Sequence, residues 1–140
     1  MTKTTGGCLC GAVRYEADAA PERASYCHCT MCRRATGAPV AAFARLPSAG
    51  FRVAEGEIQR YRSSDIAVRG FCARCGSPLT FQYDAYPAYV AVAIGSLDRP
   101  DLAAPERHWN FDDRLPWLEL TDALPRQGNI AAAAAAKPKP

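Results

Sequence analysis

Seven cysteines fall into three groups, Cys8-x-Cys10, Cys27-x-Cys29-x-x-Cys32 and Cys72-x-x-Cys75, and no other feature of the 140-residue chain constrains its fold as tightly. An odd count forbids complete disulfide pairing within the chain. In a reducing compartment, clustered cysteines act as metal ligands more often than as disulfides. Cys72-Ala73-Arg74-Cys75-Gly76 has the spacing of a knuckle, in which two sulfurs point into one tetrahedron and the glycine tolerates the tight backbone. Residues 7–16 read as a strand that places Cys8 and Cys10 on one face, because side chains two apart share a side. Two pairs make a closed four-thiolate site, the pattern of structural zinc. Such a site contributes about 10–16 kcal/mol of apparent binding energy to folding. The bland alternative is four buried, unligated thiols.

The pairing leaves Cys27, Cys29 and Cys32. Three thiolates hold a tetrahedral ion with one position open, and open positions are where metal chemistry takes place. The chain has two histidines, His28 and His108. Either is a candidate fourth ligand, although His28 points away from its flanking cysteines if the segment is extended. Three thiolates against a dication leave a net charge of −1, which makes zinc a weaker Lewis acid than it is among neutral histidines. Activation of a thiol is therefore favoured over activation of water, since a thiol entering the open position is deprotonated on binding. The chemistry that suits is attack by a substrate thiol on a small electrophile, or the reverse cleavage of a carbon–sulfur bond. Arg33 and Arg34 offset the excess charge, hold a substrate carboxylate, or form a solvated pair on a helical turn.

Elsewhere, strand and turn signals recur about every ten residues with no sustained helical period, an all-β pattern. Strands are expected at 24–27, 40–46, 51–55, 58–62, 67–72, 78–83, 89–94, 106–111 and 115–120, with one helical turn over Met31–Ala35 ended by Gly37. The division is a flexible N-terminus at 1–6, one zinc-binding domain at 7–124, and a low-complexity tail at 125–140 that includes the alanine run 131–136. A net charge of +3 with scattered arginines lacks the basic stripe of a nucleic-acid binder. The central apolar run, Ala88 to Ile94, is far shorter than a membrane span. Met1-Thr2-Lys3-Thr4-Thr5 has no apolar signal region behind it. A cytoplasmic protein with no membrane partner is expected.

Gly7-Cys8-Leu9-Cys10-Gly11-Ala12-Val13, Cys27-His28-Cys29-Thr30-Met31-Cys32-Arg33-Arg34-Ala35-Thr36-Gly37, Phe71-Cys72-Ala73-Arg74-Cys75-Gly76-Ser77 and Gly95-Ser96-Leu97-Asp98 occur in that order. They resemble the motifs of the GFA family, named for glutathione-dependent formaldehyde-activating enzyme, to which centromere protein V also belongs. The resemblance covers roughly residues 6 to 120, with His108-Trp109-Asn110-Phe111 standing where the family has a late histidine motif. It implies a mainly β, β-tent fold of small antiparallel sheets. It implies two zinc ions per chain, one structural at Cys8, Cys10, Cys72 and Cys75 and one at Cys27, Cys29 and Cys32. It also implies reversible condensation of glutathione with formaldehyde to S-hydroxymethylglutathione.

Residues and resemblance together give an expected zinc-dependent carbon–sulfur lyase acting on a thiol–aldehyde adduct. Cys27, Cys29 and Cys32 are its catalytic group, and Arg33, Thr36 and His108 are candidate substrate contacts. Its partners are a small thiol such as glutathione and a small aldehyde; exposed sheet edges leave room for a homodimer. The competing expectation is a non-catalytic zinc module that binds another macromolecule, with protein closing the fourth position. A redox sensor built on low-pKa thiols is the third.

Overall fold

The computed structural model describes residues 2–129. Two sheets carry most of the chain. The smaller has the order β1–β2–β5, formed by Thr4–Gly7, Arg14–Ala17 and Arg52–Glu55, and is antiparallel throughout. The larger holds seven strands. These are β3 (Glu22–Cys27), β4 (Ala41–Pro47), β6 (Gln59–Arg62), β7 (Ala67–Phe71), β8 (Pro78–Tyr83), β9 (Tyr89–Ala93) and β10 (His108–Trp109). Their spatial order is β10–β3–β4–β9–β8–β7–β6, antiparallel except for the parallel β10–β3 pair. One helix, α1 (Thr30–Thr36), follows β3. Among the described residues, no helix is long and apolar enough to cross a membrane.

The β-tent expectation of small sheets holds, and most strands lie where the alternation put them. Some details differ. Residues 7–16 are not one strand: β1 ends at Gly7, a turn carries Cys8 to Val13, and β2 starts at Arg14. Gly11, at φ 78°, supplies the left-handed turn residue, and Leu9 is 88% exposed, so its place in the apolar alternation was a false signal. Thr4 to Gly6, set apart in the sequence as a flexible end, are β1 residues opposite Ala17, Glu16 and Tyr15. Of 106–111 only His108 and Trp109 are strand. Residues 115–120 form none: Leu118 N–H turns back to the Leu115 carbonyl, and Trp117 is 67% exposed. Pro125 to Gln127 lie beside β10, where Pro125 O accepts from His108 N and Gln127 N donates to His108 O, both at 2.9 Å. The alanine run lies outside the described residues.

The core joins the two sheets. Tyr15 from β2 packs with Leu46 from β4, Leu79 from β8 and Val90 and Val92 from β9, all buried. Each such aliphatic side chain contributes about 1.5–3 kcal/mol on burial. Tyr15 also has a polar anchor, its hydroxyl lying 2.6 Å from Ser96 Oγ in the 3₁₀ turn Ile94–Ser96. The fit around this ring leaves no room at Gly6. A Cβ built there would strike the Tyr15 hydroxyl and come within 2.6 Å of the Ser96 carbonyl, whereas a Cβ at Gly95 would meet nothing within 4 Å. Gly6→Ala should therefore lower stability by about 1–3 kcal/mol in a denaturant titration. Gly95→Ala should stay within about 0.5 kcal/mol of the parent. Equal effects would show that Tyr15 and Ser96 yield easily.

Candidate functional site

Both cysteine groupings inferred from spacing assemble in space. Cys8, Cys10, Cys72 and Cys75 bring four sulfurs within 4.8 Å of one another, and Cys27, Cys29 and Cys32 bring three. The four come from two turns, β1–β2 and β7–β8, so this cluster ties the small sheet to the large one. Cys8 Sγ lies 3.6 Å from Cys10 Sγ, and Cys10 Sγ lies 3.9 Å from Cys72 Sγ. These spacings exclude disulfides, whose S–S bond is about 2.05 Å. They match the ~3.8 Å edge of a tetrahedron with 2.3 Å zinc–sulfur bonds. The backbone supports the anionic form of the sulfurs: Val13 N–H donates to Cys8 Sγ at 3.3 Å and Cys75 N–H to Cys72 Sγ at 3.4 Å. Gly76, at φ 78°, completes the knuckle. The donor set fits a structural zinc.

The second group sits where β3 runs into α1. Cys27 ends the strand, Cys29 caps the helix and Cys32 lies in its first turn. Cys29 Sγ accepts from Cys32 N–H at 3.2 Å, the role an N-cap oxygen usually plays. Gly37, at φ 71°, closes the other end with its N–H on the Arg33 carbonyl. Two further donors reach the sulfurs. Arg69 Nη2, from β7, lies 3.4 Å from Cys32 Sγ, and Asn110 Nδ2, after β10, lies 3.3 Å from Cys27 Sγ. Hydrogen bonding by Cys27 and Cys32, and then by the Cys32 N–H, holds the Cys29 thiol far below its ordinary range. Cys27 is pushed up, first by Cys29 and Cys32 and then by burial. Three such close sulfurs cannot all ionise unaided, and a bound dication reverses that balance. No fourth His, Cys, Asp or Glu atom among the described residues joins the group.

The histidines have other partners. Side chains alternate along β3 and β10, so Cys27 and Trp109 line a pocket while Tyr26 and His108 lie on the opposite side. His108 is fully buried and stacks between Tyr26 and His28. Its Nδ1 is 2.8 Å from His28 Nε2, and its Nε2 is 3.1 Å from both oxygens of Asp122. Burial tends to raise the Asp122 carboxyl, but Arg126, the Leu124 N–H and His108 together hold it down at about 2. Burial, then the neighbouring His108 and three arginines, lower His28 to about 4. The pair buttresses the segment that carries the cysteines.

The pocket is a cavity of about 380 Å³ on one face of the large sheet, with all three sulfurs in its wall. Phe43, Phe81, Tyr83, Tyr86, Tyr89 and Trp109 supply its apolar surface. Arg23, Arg45, Arg69 and Arg107 supply its charge. Arg33, Thr36 and His108, the expected substrate contacts, are absent from the lining. Thr36 Oγ1 donates to the Cys32 carbonyl, Arg33 Nη2 donates to Thr30 Oγ1, and His108 faces away. Sequence reading missed Arg69 and Asn110. The available signals were an arginine on the same strand parity as Ala67, and an asparagine between Trp109 and Phe111.

Comparisons with known proteins agree with this arrangement. Residues 3–113 match the family described as "Glutathione-dependent formaldehyde-activating enzyme", GFA. An uncharacterized lyase of Schizosaccharomyces pombe is 38% identical over 86 residues, which are 59% of this chain and 60% of the yeast protein. The match thus spans less than two thirds of that relative. A crystal structure of a Rhodobacter sphaeroides protein superposes with a TM-score of 0.54 at 23% identity, over 87% of this chain and 98% of the other, a likeness of fold.

The two sulfur groups should respond differently to loss of a ligand. Cys75→Ala breaks the link between the sheets and should yield little folded protein. Cys29→Ser keeps an oxygen at the N-cap, so it should melt within a few degrees of the parent yet bind one metal equivalent fewer by elemental analysis. Equal loss of folded protein in both variants would show that the second group is also structural.

Proposed function

This chain belongs to the glutathione-dependent formaldehyde-activating enzyme (GFA) family, and from that premise we propose that it is a zinc-dependent carbon–sulfur lyase acting on the adduct of a small thiol and an aldehyde. The supporting observation is the set of three sulfurs, with no fourth protein ligand among the described residues, in the wall of a pocket of about 380 Å³. Pockets of this size hold small molecules. Zinc held by Cys27, Cys29 and Cys32 would supply one further coordination position and a thiol ionised at neutral pH. The reaction balances without a redox partner. The thiol loses its proton, sulfur joins the carbonyl carbon, the π pair moves to oxygen, and that oxygen takes up a proton. Cleavage is the reverse. S-Hydroxymethylglutathione, from glutathione and formaldehyde, is the narrowest form of the proposal.

The chain's own groups have defined roles in this reading. Arg69 and Asn110 donate to Cys32 and Cys27 and so draw off part of the excess negative charge of three thiolates. The aromatic residues of the wall would place apolar surface around the carbon under attack. Tyr83 lines the pocket, and its hydroxyl is pushed up to about 12, first by burial and then by the charge of Cys27, Cys32 and Cys29. Its protonated hydroxyl would serve as a hydrogen-bond donor to the oxygen that gains charge. The non-catalytic module requires a closed coordination shell, and the three-sulfur group speaks against it.

X-ray absorption on protein loaded with zinc tests the reading. Addition of glutathione should raise the sulfur count at the second site from three to four. A four-ligand protein shell that ignores every added thiol would overturn it. Tyr83→Phe should leave that change intact while lowering turnover of the adduct by about a hundredfold.

A further inference from the structure

We infer that the thiol accepted by this pocket carries carboxylate groups but no ammonium group, a charge pattern that disfavours glutathione itself. The inference rests on the pocket being the thiol's binding site, as proposed above.

The pocket wall contains four arginines and no carboxylate. Arg69 is engaged with Cys32 Sγ. Arg45 has one ion pair, to Glu22 Oε1 at 3.1 Å, made from outside the wall. Arg23 and Arg107 have no ion pair among the described residues. Guanidinium forks match the two oxygens of a carboxylate.

The backbone aims these groups. β3 departs from regular register between Glu22 and Ser25, and within that irregularity Arg23 adopts φ 47°, a left-handed conformation rare for a long side chain. Such irregularities redirect side chains. Arg23 precedes Cys27 by four residues, and Arg107 precedes Trp109, the register partner of Cys27, by two. At about 3.3 Å per residue, the backbones of Arg107 and Arg23 lie roughly 7–13 Å along the strands from the level of Cys27, and the Arg107 guanidinium reaches back over Trp109. That separation suits a ligand with sulfur at one end and carboxylate at the other.

Away from the sulfur group, an ammonium has no counterpart in the wall. The wall offers no carboxylate, and the aromatic faces that commonly receive cations are partly taken. Arg45 lies over Tyr89 at 3.8 Å, Arg69 over Phe81 at 4.6 Å and Arg107 over Trp109 at 5.4 Å, three of the six aromatic residues in the wall. A ligand ammonium would instead meet like charge.

The test is titration calorimetry on the zinc-loaded full chain with two peptides that differ by one group. These are glutathione and glutaryl-cysteinylglycine, which is glutathione without its α-amino group; each is used as the free thiol and as the S-methyl thioether. The des-amino peptide should bind at least about tenfold more tightly than glutathione. In the Arg23→Met, Arg107→Met double variant the preference should fall to about threefold or less. Equal or tighter binding of glutathione by the parent protein overturns the inference, as does an unchanged preference in the variant or no binding of any peptide. If the variant does not fold, the parent comparison alone decides. A des-amino preference among the thioethers, with no gain from the free thiol, would uphold this inference while removing thiol activation.

Discussion

Three sulfurs within six residues bring more negative charge into one place than a protein interior accepts. Much of the local structure answers that constraint. The helix that follows β3 starts on Cys29 and turns the Cys32 N–H toward its sulfur. Strand β7 brings Arg69 to Cys32, and the turn after β10 brings Asn110 to Cys27. These three donors come from segments far apart in the chain, so the site exists only when the seven-stranded sheet is complete. A dication would finish the neutralisation. The fit of the group to a metal thus rests on the donors around the sulfurs as well as on their spacing.

The four-sulfur cluster has a different task. It is built from two turns with left-handed glycines at Gly11 and Gly76, and its sulfurs are steadied by backbone N–H groups, with no arginine among the described residues in hydrogen-bond contact. Its partners on the apolar side belong to the core that joins the sheets, with Cys8 and Cys75 packed against it. It is a staple between two small sheets, neither of which has a large core of its own. The three-sulfur group lies instead in a pocket wall. The same residue type therefore packs against the core in one place and lines a pocket in the other.

Alternation along strands made much of this legible from the sequence. β8 lies where the 78–83 alternation placed it, and both cysteine groupings followed from counting and spacing. The readings that failed did so for local reasons. Cys-x-Cys mimics a strand face, yet Leu9 between the sulfurs is at the tip of a turn. His108 attracted attention as a histidine near a metal site, but a one-residue offset from Trp109 turns it to the other side of the sheet. Its role is to stack on Tyr26 and His28 and bond Asp122. No local pattern announces Arg69 or Asn110, because their meaning depends on which sulfur the sheet order brings beside them.

The same sheet order arranges the arginines of the pocket wall. Arg45, Ala91, Phe81 and Arg69 are register partners in sequence across β4, β9, β8 and β7. One row therefore has a cation at each end and apolar surface between them. One of those cations answers the sulfurs, and the other lies over Tyr89 and pairs with Glu22. On the proposed reading, a ligand lying along this row would meet the sulfur group at one end and arginine at the other, with little polarity between. Short-range charge then discriminates more sharply than size, since like charge in a partly desolvated wall is opposed more strongly than an extra methylene is excluded. The reaction proposed above defines the sulfur end of that description. The far end is a property of this chain's own arginines, and substrate choice within a shared scaffold is decided there.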